Sequence, residues 1–106
     1  MSKVNENIAK FRKFRKMTQA DLAKQLGKSK NSVSNWESNG NTPDLDTIEK
    51  ICKILRVSPN ELFGWTENRE YRDYEIRVQK TRERINEIND MKARLEKELR
   101  ELESEV

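Results

Sequence analysis

Beyond Gly64 the chain has neither glycine nor proline in its remaining 42 residues. All five of its strong helix breakers, Gly27, Gly40, Pro43, Pro59 and Gly64, lie in residues 1–66, as do both tryptophans and all three phenylalanines. Glycine and proline end helices, one by its conformational freedom and the other by its missing N–H. The chain therefore divides into a punctuated part, 1–66, and a part, 67–106, with no signal to stop being helical. Charge divides at the same place. Residues 1–66 carry twelve Lys/Arg against seven Asp/Glu, a net of +5, and residues 67–106 carry ten against twelve, a net of −2. The total of +3 averages two different bodies. A hydrophobic content of 33% is too low for one globule of the whole chain.

Composition removes several functions. There is no histidine, so the commonest general base and metal ligand is missing. The single cysteine, Cys52, rules out an intrachain disulfide or a multi-cysteine zinc cage and suits a reducing cytoplasm. No apolar run is long enough for a signal-peptide core or a membrane span. The expectation is a cytoplasmic protein that is not an enzyme, with no cofactor, no bound metal and no membrane association.

Helix signals in residues 1–66 predict five short helices. Val4, Ile8 and Phe11 recur at helical spacing, which predicts a first helix over about 5–16. Thr18 and Asp21 make a capping-box start for a second helix with Leu22, Ala23 and Leu26 inward, and Gly27 ends it. Ser29 caps a third, running to about Ser38, with Val33 and Trp36 on its inner face. Asn39-Gly40 marks a turn, and Pro43-Asp44 leads into a fourth helix carrying Leu45, Ile48, Ile51, Cys52 and Leu55. Ser58-Pro59-Asn60-Glu61 joins an N-cap, a first-position proline and a third-position acid, and starts a fifth helix with Leu62 and Phe63. Cys52, among apolar neighbours, reads as a buried inert thiol.

Two short helices joined by Gly27-Lys28-Ser29 have helix-turn-helix spacing. The ordered string Met17-Thr18-Gln19-Ala20-Asp21-Leu22-Ala23, Gly27, Ser29, Val33-Ser34-Asn35-Trp36-Glu37, Pro43 and Val57-Ser58-Pro59-Asn60-Glu61-Leu62 resembles the lambda-repressor/Cro-like helix-turn-helix domain, over residues 8–63. The resemblance implies a five-helix DNA-binding domain, and with the breaker-free, heptad-patterned remainder the expected fold is all-α: that domain followed by one long coiled-coil helix. It also implies a small residue at Ala23, where two helices cross closely, and a largely buried ion pair between Arg12 and Glu37.

A helix-turn-helix puts the N-terminal end of its second helix in the major groove of double-stranded DNA. With Ser29 as cap, the base-facing candidates are Lys30, Asn31, Ser32, Ser34 and Asn35. Lysine donates to guanine acceptors and asparagine pairs bidentately with adenine. Many relatives carry glutamine where this chain has Lys30, so no base preference transfers. Gln19 matches a family position that contacts phosphate. Thr18, beside a helix N-terminus, and Ser38 and Asn41, in the polar stretch Ser38-Asn39-Gly40-Asn41-Thr42, complete the phosphate candidates. Lys10, Lys13, Lys16, Lys24 and Lys28 add nonspecific attraction, with some of them facing away from DNA.

From Tyr71 one heptad frame takes in nearly every apolar residue. Its first positions are Tyr71, Val78, Ile85, Lys92, Leu99 and Val106, and its fourth positions are Tyr74, Thr81, Ile88, Leu95 and Leu102. Only Lys92 and Thr81 break the seam, which predicts a coiled-coil oligomerisation helix over 67–106. A parallel homodimer sets Glu70 against Glu75, Arg77 against Arg82 and Glu98 against Glu103 of the second copy, all repulsive. An antiparallel one with Ile85 opposite Leu95 sets Arg77 against Glu105, Arg84 against Glu98 and Arg82 against Glu96, leaving only Glu75 and Glu103 as like charges. The signs favour an antiparallel homo-oligomer, dimer or tetramer, over a parallel tail or an intrachain hairpin turning near Asn89-Asp90. The expected function is a sequence-specific transcriptional regulator, a repressor of bacterial or phage type. The alternative is an antitoxin or anti-repressor module whose tail binds a partner protein.

Overall fold

The computed structural model describes residues 3–38 and 40–105. Asn39 of the polar turn and Val106 of the heptad frame lie outside the described residues. The chain divides into two compact units, Met1–Tyr71 and Arg72–Val106.

The first unit packs α1 (Lys3–Phe14), α2 (Gln19–Leu26), α3 (Lys30–Ser38), α4 (Leu45–Leu55) and the single-turn α5 (Pro59–Leu62) around one core. Every helix supplies it: Val4, Ile8 and Phe11 from α1, Leu22, Ala23 and Leu26 from α2, Val33 and Trp36 from α3, Ile48, Ile51, Cys52 and Leu55 from α4, and Leu62 from α5. Removing one large apolar side chain of this kind from water contributes about 1.5–3 kcal/mol. Val33 and Trp36 lie inward, and Cys52 is buried with its thiol pKa pushed up by burial and by the negative charge of Glu61.

Local chemistry sets the helix ends. Asp44 accepts the Thr47 amide at 2.8 Å to start α4. At α5, Ser58 and Glu61 complete a capping box with Pro59 behind the cap. A buried bond of 2.8 Å from the Asn7 amide nitrogen to the Leu62 carbonyl holds α5 to α1. Helix α1 runs Lys3–Phe14 where the sequence pattern predicts about 5–16. Its C-terminal limit follows from Lys16, which turns left-handed at φ 59° while the Met17 amide bonds back to the Arg12 carbonyl at 3.0 Å. Arg56 ends α4 in the same conformation, φ 57°.

The long helix α6 (Arg69–Ser104) begins inside the first unit. The Asn68 side-chain oxygen accepts the Tyr71 amide at 2.8 Å, and its amide nitrogen donates to Glu61 at 3.0 Å. Arg15 donates to the Leu55 carbonyl at 2.7 Å and pairs with Glu70 at 2.8 Å. The Tyr71 ring meets Phe11 and Phe14 edge-on, at 5.5 and 5.2 Å between centroids.

The second unit is the rest of α6, unbroken through Asn89-Asp90, so the hairpin is absent. None of its described residues is buried. Ile85, Ile88, Leu95, Leu99 and Leu102 are between 50% and 62% exposed along one side, together with Met91. Val78 is partly covered and Tyr74 is exposed. Lys92, inside this seam, reaches Glu96 at 3.9 Å. A lone helix in water is marginal without packing of its apolar stripe, and here that stripe is exposed.

Candidate nucleic-acid interface

The α2–turn–α3 unit is fixed by three caps. Thr18 accepts the Asp21 amide at 3.0 Å while Asp21 accepts the Thr18 amide at 2.9 Å. The backbone bond from Thr18 and then its hydroxyl hold the Asp21 carboxyl below its ordinary pKa. Gly27, left-handed at φ 67°, closes α2, and the Lys28 amide bonds to the Ala23 carbonyl at 2.9 Å. Ser29 accepts the Ser32 amide at 3.1 Å, and the two hydroxyls lie 3.0 Å apart. Ala23, almost fully buried, leaves room for the crossing of α2 and α3.

This construction divides α3 by face. Val33 and Trp36 point to the core, while Lys30, Asn31 and Asn35 are exposed and Ser32 and Ser34 are partly so. Ser32 is committed in part to the Ser29 cap, and the Ser38 hydroxyl donates to the Ser34 carbonyl at 2.7 Å. Gly40, Asn41 and Thr42 are exposed after α3, with Gly40 at φ 77°. Lys10 sits 4.5 Å from the Tyr71 ring centroid, which gives this cation a local partner.

Behind the face lies a charged cluster. Arg12 grips Glu37 through two bonds of 2.7 and 2.9 Å, and both side chains are under 10% exposed. Arg12 also donates to the Met17 carbonyl at 2.7 Å. Burial pushes the Glu37 pKa up, but the bonds from Arg12 and Gln19 and the charges of Arg12 and Lys13 outweigh it, so the carboxyl is held below its usual range.

Sequence reasoning missed that Gln19, a phosphate candidate, donates its amide nitrogen to Glu37 at 3.0 Å. This fixes the side-chain amide plane at the start of α2. Arg15, which joins the Leu55 and Arg56 carbonyls to Glu70, was also missed, since its partners are 40 or more residues away in sequence. Among the seam candidates, Tyr71 is half-buried against α1, whereas Ile85, Ile88, Leu95, Leu99 and Leu102 are exposed together. Among the described residues, no helix is long and apolar enough to cross a membrane.

A helix-turn-helix family profile matches residues 8–62, just over half of the chain. The transcriptional repressor RstR of the cryptic phage CTXphi, from Vibrio cholerae, is 32% identical over 78 residues, covering 74% of this chain and 70% of that protein. The HTH-type transcriptional activator BcrR of Enterococcus faecalis is 33% identical over 63 residues, 59% of this chain, and the match spans only 31% of BcrR. Among solved structures, the P22 c2 repressor in complex with a synthetic operator superposes with a TM-score of 0.53 at 33% identity, covering 57% of this chain and 91% of that one. The controller protein C.Esp1396I bound to a 25 base pair operator site gives 0.53 at 34% identity, covering 60% and 84%. The profile match falls on the unit that carries the capped α2–turn–α3 arrangement, and the chain belongs to the lambda-repressor/Cro-like helix-turn-helix family.

Proposed function

We propose that this protein is a sequence-specific DNA-binding transcriptional regulator of repressor type, acting by occupancy of operator DNA in the cytoplasm without chemistry of its own. The observation that carries this reading is the split of α3, with Val33 and Trp36 buried while Lys30, Asn31 and Asn35 face solvent. Lys30, Asn31, Ser32, Ser34 and Asn35 meet base edges, and Thr18, Gln19, Ser38 and Asn41 meet phosphates. Each well-placed bidentate base contact contributes about 1–3 kcal/mol of discrimination. Phosphate contacts fix register and make affinity fall with salt. Relatives named as repressors, and structures of relatives bound to operators, support the reading. The α6 seam joins copies into a homo-oligomer through an antiparallel coiled coil, which raises the effective concentration of the second head.

Selection from a random duplex library at two salt concentrations tests it. A preferred sequence is expected, with affinity that falls as salt rises. Lys30→Ala and Asn35→Ala change the selected sequence, while Thr18→Ala and Asn41→Ala weaken all duplexes alike. Binding with no sequence preference would sink the reading.

A further inference from the structure

Arg12, Gln19 and Glu37 come from α1, α2 and α3, and their side chains meet in one run of hydrogen bonds. Arg12 engages both Glu37 oxygens, Nε to Oε2 at 2.7 Å and Nη2 to Oε1 at 2.9 Å, which fixes the carboxylate plane from the core. Oε1 also accepts the Gln19 amide nitrogen at 3.0 Å. Arg12 and Glu37 are buried side chains, whereas Gln19 is only half-buried. The run of bonds therefore starts in the core and ends at the surface, on the first residue of α2 and next to Thr18.

Resting on the DNA-binding reading above, we propose that Glu37 is a positioning residue for the phosphate contact of Gln19. A side-chain amide offers a donor at one end and an acceptor at the other, and a phosphate takes only the donor. An ionised carboxylate accepts and cannot donate, so Glu37 selects the nitrogen end of the Gln19 amide and excludes its flipped form. The amide is planar, and holding one of its two N–H groups gives the other a single direction. That second N–H donates to a phosphate oxygen. A side chain ordered before DNA arrives loses less freedom on binding, which favours affinity. Arg12 serves the same contact. Its two charge-assisted bonds neutralise Glu37, which would otherwise set an uncompensated negative charge 3.0 Å from the donor that meets the phosphate.

A mutant cycle on the full chain tests this, using Arg12→Met/Glu37→Met as a background that lacks the pair without leaving an uncompensated charge. Affinity for the library-selected duplex is measured on protein that circular dichroism shows to be folded. In the parent, Gln19→Ala is expected to weaken binding to every duplex about tenfold, the order of one hydrogen bond to a charged oxygen. In the double-Met background the same substitution is expected to cost less than about threefold, while Asn41→Ala costs the same factor in both. An equal cost of Gln19→Ala in the two backgrounds overturns the proposal and leaves Glu37 a purely structural role, as does no cost in the parent. A second readout needs no change to the pair. The Gln19 side-chain amide of the free parent is expected to give an NMR order parameter above about 0.6, and a lower value, that of a mobile group, overturns the proposal even where the double variant does not fold. A parent that selects no sequence from the library is a failure of the DNA-binding reading and removes both, whereas a selected sequence without coupling removes this inference alone.

Discussion

Breaking the Arg12–Glu37 pair should cost far more than breaking a surface ion pair. Arg12 makes two bonds to Glu37 and one to the Met17 carbonyl, and both charged side chains are under 10% exposed. Arg12→Ala leaves a buried carboxylate with only Gln19 as donor and strips the Met17 carbonyl of that bond. Loss of one partner of a buried pair typically costs about 3–5 kcal/mol. A unit of some 70 residues has about 4–11 kcal/mol of total stability, so the loss is a large fraction of it. Urea unfolding followed by Trp36 fluorescence, in a Trp65→Phe background, should show the midpoint falling by at least about 1 M. Replacing both partners removes the uncompensated charge, so Arg12→Met/Glu37→Met should be more stable than either single variant, though below the parent because the Met17 carbonyl still lacks its donor. A loss under about 1 kcal/mol in Arg12→Ala, or strict additivity in the cycle, would refute the argument.

Two further outcomes follow from the same geometry. Glu37, Asp21 and Asp44 are all held below their ordinary pKa values, Asp44 by its side-chain and backbone bonds to Thr47, so the stability they contribute is fully present above the ordinary carboxylate range and is lost as pH falls below it, through their lowered folded-state values. Urea midpoints should be flat near neutrality and fall in acid, with a shallower fall in Glu37→Gln. Gly27→Ala should cost about 1 kcal/mol by thermal unfolding, from the left-handed φ of 67° alone, because no atom lies within 4 Å of the added methyl; a loss of several kcal/mol would mean that the turn is crowded.

What the sequence made legible is the chemistry that acts over a few residues. Thr18 with Asp21, Gly27, Ser29 and Ser58 with Pro59 each state a helix end locally, and the spacing of Val33 and Trp36 names an inner face. The left-handed turns at Lys16 and Arg56 were hidden because neither residue has glycine's steric freedom to advertise it. Gln19 and Tyr71 were hidden for another reason. Each has a side chain that suits two partners, and only the packing of α1 and α3 decides between them. Arg15 could be read only as one more basic residue, since its partners come from α4, the residue after it and the first turn of α6.

The division of α3 by face also bears on how such a protein diverges. Val33, Trp36 and Glu37 are tied to the core, so drift at these positions is purged through stability whatever DNA the protein meets. Lys30 and Asn31 project to solvent, where most substitutions change stability by less than about 0.5 kcal/mol. With Lys30 and Asn31 as the base contacts proposed above, a lineage carrying this domain explores new target sequences through thermodynamically silent steps, without first acquiring a stabilising change to tolerate them.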